Sequence, residues 1–332
     1  MKRMFVLLLV VIVFALFSTP QQVAAATKLT FSSVSVPDDA HTKAMNAFKE
    51  EVEKLTNGEI QVDVFHSGQL FTQEGQNAAL RKGSLDMAYL SASWLAEFMP
   101  EMSMFAAAYI FKDYEHMTKT WNGEIGKELF EKVAQTQGMR PLGAFYLGTR
   151  QLNLRDIGRE VKTPDDMKGV KLRMPNSPAW LFMGKVLGAN PTPLSFTEVY
   201  MGLKTGTIDG QDNPLPTDKN AKFYEVTKYI ILTDHLIDSV FPTINEKKWQ
   251  SLTSEQQEKM YQAVEKARQL CDQLNLDQEA ELVEFFKNEG MTVIVPDKAA
   301  FIEQAQKMYL ENKEISGNWD MELYEKVQKL AE

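Results

Sequence analysis

Two stretches of this chain, more than a hundred residues apart, follow one design. Residues 77–86 read Asn-Ala-Ala-Leu-Arg-Lys-Gly-Ser-Leu-Asp, and residues 200–209 read Tyr-Met-Gly-Leu-Lys-Thr-Gly-Thr-Ile-Asp. In each, a short helical segment carries a basic residue in its last turn, where it complements the negative end of the helix dipole. A glycine then serves as the left-handed cap. An apolar residue and an aspartate lead on toward a strand. A chain that builds this unit twice is constrained to two α/β halves of similar design. The two copies do not recur at a fixed period, which excludes a solenoid.

The chain also starts as β-α-β. Residues 29–33 read as a strand, and Asp38 and Asp39 offer helix N-caps. Ala44, Phe48, Val52 and Leu55 recur at helical spacing, Thr56-Asn57-Gly58 stops that helix, and 60–65 alternates as a second strand. This is the unit that builds a parallel sheet. Further strands are expected at 87–92, 140–147 and 171–174, with Gly148-Thr149-Arg150 following the end of the second of these. The pattern predicts helix through most of 114–137 and over 178–187, a break at Pro191–Pro193, and the second repeat helix at 196–204. A strand near 239–245 comes last; long charged helices with apolar stripes follow at 254–288 and 298–312. Strands and helices alternate early and helices stand alone late, which fits two sheets clasped by a helical tail.

Residues 1–26 read as a cleaved signal peptide. Lys2 and Arg3 precede an apolar run over 4–17, and Ala24-Ala25-Ala26 offers a small-residue cleavage site. The run is shorter than the ~20 residues a membrane span needs. The expectation is export to the periplasm as a soluble protein. About 300 residues remain, a length that usually divides into two domains. The chain has 36 basic and 45 acidic residues and a net charge of −9; without Lys2 and Arg3 the balance is 34 to 45, or −11. Such a surface argues against nucleic acid as a partner, but not against an anion in a cleft with its own local potential.

Catalytic signatures are lacking. Cys271 is the only cysteine, so there is no disulfide, and it falls on one apolar stripe with Val264 and Ala267 as a structural thiol. His41, His66, His116 and His235 are scattered without zinc-ligand spacing. No nucleophile elbow, phosphate loop or dinucleotide glycine pattern is present. No cofactor or metal is expected; the run 209–213 lacks the glycine placement and closing glutamate of a calcium loop.

The candidate chemistry rests on Arg150 and Arg173, each at a short apolar strand. Ligands of open α/β sheets bind near the carboxyl ends of strands, and a guanidinium offers a planar fork of donors that matches a carboxylate. The residues alone leave two readings open, a carboxylate receptor or a pair of surface salt bridges. Asn213, between Asp212 and Pro214, is either a ligand contact or a turn residue. Phe196, Trp94 and Trp180 are either flat ligand walls or core.

Several ordered motifs resemble one family. Gly148-Thr149-Arg150-Gln151, residues 167–175 (Met-Lys-Gly-Val-Lys-Leu-Arg-Met-Pro), Ala189-Asn190-Pro191-Thr192-Pro193, Phe196-Thr197-Glu198-Val199-Tyr200 and residues 208–214 (Ile-Asp-Gly-Gln-Asp-Asn-Pro) resemble the DctP-type solute-binding proteins of TRAP transporters. The resemblance runs from the first strand to the C-terminal helices. It implies an α/β, two-lobed periplasmic-binding-protein fold, each lobe a mixed sheet flanked by helices, with the tail clasping both. Lobe I is then 27–147 with 239–278, and lobe II is 148–238 with 279–332. The implied function is capture of an organic acid, a C4-dicarboxylate or a sugar acid such as a uronate, for delivery to the TRAP membrane permease. The implied protein is a monomer and not an enzyme.

The resemblance carries the carboxylate partner onto Arg173 and ligand contacts onto Arg150, Asn213, Phe196 and Asn176. Gln73, Trp94 and Trp180 are added as candidates. Where sialic-acid-binding members carry an acid after the Gln-Leu turn, this chain has Gln73, and the stretch between Arg150 and Arg173 is longer than theirs. Two rival functions remain: an exported enzyme with Asp209 or Glu198 as base, or a ligand-sensing partner of a membrane receptor. The transport reading requires Arg173 to be left without a resident acid.

Overall fold

A computed structural model describes residues 26–331. The signal-peptide segment, apart from Ala26, falls outside them. Ten strands are β1 (Thr27–Ser32), β2 (Ile60–Phe65), β3 (Met87–Leu90), β4 (Met139–Pro141), β5 (Phe145–Leu154), β6 (Lys171–Met174), β7 (Asn190–Pro193), β8 (Gly210–Pro214), β9 (Tyr229–Asn245) and β10 (Thr292–Ile294). They form one hydrogen-bonded path in the order β2-β1-β3-β9-β5-β8-β6-β7, with β4 and β10 also on β9. Lobe I is built on β2-β1-β3 and lobe II on β8-β6-β7. β5 and β9 run antiparallel between them, from Phe145↔Val240 to Leu154↔Tyr229.

The two sheets expected from the sequence are therefore joined. The link is the length of β9, a strand of 17 residues where only its last seven read as strand. At Asp234 the backbone adopts a left-handed φ of 47° and the ladder slips register, so the strand continues through a bulge. Likewise β5 does not stop before Gly148. Gly148 takes φ 128°, a conformation side chains rarely adopt, and the strand runs on to Leu154. Arg150 thus sits within a strand rather than after one. Pro191–Pro193 is an edge strand, not a break, because an edge position does not need the missing N–H.

Helices α1 (Ala40–Leu55), α2 (Gln73–Lys82), α3 (Pro178–Val186), α4 (Val199–Thr205), α5 (Ser254–Asn288) and α6 (Lys298–Glu311) cover the sheet. The apolar stripe of α1 buries Ala44, Phe48 and Val52 together with Met260, Ala263, Ala267 and Cys271 of α5. Further along, α5 buries Leu282 and Phe286 against Leu215 and Ile230 of lobe II. Thr253 and Gln256 close a capping box at its start.

The repeated sequence unit is a repeated structure. Helix α2 ends at Gly83 with φ 73°, and α4 ends at Gly206 with φ 80°. The aspartate that follows does the same work in both copies. Asp86 accepts from the backbone N–H of Thr30 in β1, and Asp209 from that of Lys171 in β6, each at 2.9 Å.

The tail reaches both lobes. On α6, Tyr309 packs edge-on to Phe182 at 5.2 Å and Gln304 donates to the Val186 carbonyl, both on α3. The following segment turns to lobe I, where Trp319 donates to Ser103 and the Val327 carbonyl lies 2.8 Å from His116 Nε2.

Candidate functional site

The alternation of β6 puts Leu172 and Met174 on one face and Arg173 on the other. All three are buried, and Arg173 is only 1% exposed. Its Nε donates to the Leu194 carbonyl at 2.8 Å. Neither Nη group donates to any protein acceptor among the described residues, and Nη2 is fully buried. No acid among the described residues lies within ion-pair distance of it. Burial holds its pKa down to about 10, with Asp212 and Glu74 opposing and Arg150 assisting that shift. The group stays charged at neutral pH. The Phe196 ring centroid lies 5.9 Å from its guanidinium carbon, within cation–π range.

Arg150 occupies the opposite situation. Its Nε donates to Asp212 Oδ2 at 2.7 Å and its Nη1 to Asp238 Oδ2 at 2.9 Å. Its Nη2 donates to the Asp212 carbonyl at 2.6 Å and to Asn213 Oδ1 at 3.1 Å. Four of five N–H groups are thereby committed. The guanidinium also lies over the Trp180 ring, 4.5 Å from its centroid. Burial disfavours the charge, but Asp212 and Asp238 outweigh it and raise the pKa. Burial alone would raise the pKa of Asp212; Arg150 and His235 hold it well below the usual carboxylate range. His235 Nε2 is 3.1 Å from the same Asp212 oxygen. The network continues inward, because Asn213 donates to Gln211 and Gln211 donates to Asp218 at 2.7 Å.

A cavity lies between the two lobes, with Arg150 and Arg173 both on its lining. Asn213, Phe196, Trp94, Trp180 and Gln73 also line it, so seven of the eight residues singled out in the sequence converge there. Asn176 does not. It is exposed in the turn after β6, where the chain leaves the sheet before α3. The surface-pair reading of the arginines fails for both, since each is buried. The expectation of two arginines open to a carboxylate holds for Arg173 alone, because resident aspartates occupy most of Arg150.

The lobe I wall was not foreseen. Ser33, Ser35, Asp39, His41, Tyr89 and Ser91 line the cavity. Asp39 stands at the N-cap position of α1, yet its side chain makes no cap and lies 3.3 Å from His41 Nδ1 instead. That missing cap is a three-dimensional fact with no sequence signal. Asp238, on the lining from β9, was hidden because it pairs with a residue 88 positions away. Lobe I also meets lobe II closely at Gly68, where a Cβ would come within 2.9 Å of Thr197 Cγ2. Asp209 and Glu198, the candidate bases of the enzyme reading, are not on the lining.

The family model described as bacterial extracellular solute-binding protein, family 7 (DctP), matches residues 31–314. The chain belongs to this family. It is a solute-binding protein of the TRAP type, and among its described residues no helix is long and apolar enough to cross a membrane. It is 34% identical over 294 residues to the sialic acid-binding periplasmic protein SiaP of Vibrio cholerae, covering 89% of this chain and 91% of that protein. A solved TRAP periplasmic solute-binding protein of Roseobacter denitrificans, with bound 3-deoxy-D-manno-oct-2-ulosonic acid, superposes with a TM-score of 0.87 at 37% identity, over 92% of this chain and 99% of the other. A second protein from that organism, with bound L-galactonate, gives 0.83 at 31% identity, over 92% and 99%. The fold is the two-lobed one of these proteins.

Proposed function

We propose that this protein is the periplasmic receptor of a TRAP transporter. It captures a small molecule bearing a carboxylate, a C4-dicarboxylate or a sugar acid such as a uronate, and hands it to the membrane permease. The observation that carries this reading is Arg173, a buried guanidinium with no acid of its own. A lone buried charge is costly, and a guest carboxylate supplies the missing partner through two charge-assisted hydrogen bonds. Phe196 forms a flat wall beside that pair. Gln73, Trp94, Trp180 and Asn213 contact the rest of the guest, with one N–H of Arg150 left to give. Asn176 is outside the site.

The bound sugar acids of the solved relatives support the same ligand class. The segment 1–26 is removed on export, and the mature chain is a carrier rather than a catalyst. The lobes divide at 147/148, 238/239 and 278/279, where β5, β9 and α5 pass between them. Their closure expels water and strengthens the ion pair.

The test has two parts. Mass spectrometry of acid released from the purified protein identifies the guest, and calorimetric titration of Arg173→Ala with it should show a loss of about 2–5 kcal/mol in binding free energy. Unchanged affinity removes Arg173 from the site. Recovery of a chemically altered acid after incubation would favour the enzyme.

A further inference from the structure

We infer that this cleft is built for an acid with a single carboxylate and a hydroxyl-bearing body, and that it discriminates against dicarboxylates. The inference rests on the receptor reading above and narrows its ligand. Among the described residues, Arg150 and Arg173 are the only Lys or Arg side chains on the cavity lining. Arg150 is already matched by Asp212 and by Asp238, a second lining residue. His41, the third basic side chain on the lining, has its own acid in Asp39 at 3.3 Å, so among the described residues Arg173 is the one lining cation without a resident acid, and one guest carboxylate matches it.

A second carboxylate would find no lining cation that lacks a resident acid among the described residues. Asp39 faces the cavity from lobe I with no Lys or Arg in ion-pair contact among the described residues, and its one polar partner is His41. Asp238 faces the cavity from β9, and the field of Glu74 also reaches the Arg173 end. Like charges in a closed, poorly screened cleft repel strongly. The neutral groups of the lobe I wall suit hydroxyls instead. Ser33, Ser35, Gln73 and Ser91 can each donate or accept, and Ser91 Oγ is buried with no hydrogen-bond partner among the described residues. A hydroxyl can donate to a carboxylate such as Asp39 where a second carboxylate cannot.

The experiment compares matched pairs that differ only in the terminal carbon, CH2OH against COO−. Calorimetric titration uses gluconate against glucarate and galactonate against galactarate, with succinate as a plain C4 diacid. The monoacid of a pair should bind on the order of 100-fold more tightly than its diacid. Asp39→Asn should narrow that gap by roughly ten-fold, through a gain for the diacid. Acid released from the protein purified from its native host is also methylated and weighed, and one methyl ester per molecule is expected. A diacid that binds as well as its monoacid partner, or a released acid with two methyl esters, overturns the inference and leaves the receptor reading standing. No binding by any acid together with no acid released overturns both.

Discussion

Arg150 and Arg173 line one cavity, both buried in strands and each near an aromatic ring, and differ in their polar partners. The first lies where β5, β8 and β9 run side by side, and each neighbouring strand sends it an aspartate. The second lies on β6 between β7 and β8, and receives one backbone carbonyl. A buried cation that the fold neutralises is part of the architecture, and losing it leaves buried acids stranded. A buried cation that the fold leaves short is a binding group, and losing it relieves the protein. Burial and residue type alone do not separate these roles; the partners do.

The largest effect expected is on stability, from Arg150→Met. Asp238 would lose its cation and Asp212 would keep only His235, at a cost of about 3–5 kcal/mol. Urea unfolding measures it, and a loss below about 1 kcal/mol would show that the ion pair is not what secures this crossing. Arg173→Ala should do the reverse. Its own unfolding midpoint without ligand should hold or rise while affinity falls by about 2–5 kcal/mol. A stability loss like that of Arg150→Met would erase the distinction.

Gly148→Ala sharpens the comparison by disturbing the backbone that delivers Arg150. The left-handed φ and a Cβ only 2.5 Å from Pro214 Cβ should cost about 1–3 kcal/mol of stability. Arg173→Lys keeps the charge and loses the fork, so it should recover only part of the affinity lost in the alanine variant. The smallest effect is that of pH. Binding needs the Arg173 proton, and burial holds its pKa at about 10. Affinity should be flat through neutral pH and fall as pH rises through that value, by roughly ten-fold per unit above it. Titrations at pH 8, 9.5 and 10.5 would show the onset; a fall beginning near neutrality would point to another group.

Arg173 was legible in the sequence because everything that marks it is local: a short apolar strand, a proline after it, a helix cap downstream. The paired glycine-aspartate units and helix α5 were legible for the same reason, since caps and apolar stripes are written within one element. The fate of Arg150 was not. Its acids lie 62 and 88 residues away, and which ones reach it depends on the register of three strands. Gly148 looked like a strand end, because glycine marks a turn and a bulge alike. The part of β9 before Ser239, which includes the bulge at Asp234, was not read as strand. The lobe I wall escaped because serines near a strand end have no pattern of their own.

Helix α5 holds β5 at the crossing by three side chains on one face. Asp272 accepts from the Tyr146 N–H, Asn275 donates to the Tyr146 carbonyl, and Glu279 accepts from the Thr149 N–H and the Tyr146 hydroxyl. These bonds straddle Gly148, so the strand cannot flex there without carrying the helix along. The first residue of the helix is about 37 Å from Glu279 at the helical rise of ~1.5 Å per residue. A tilt of about 5° at the grip therefore carries that distant end, together with helix α1 packed on it, by about 3 Å. A rod so fastened turns a slight rotation deep inside the molecule into a displacement large enough to be felt on its outer surface.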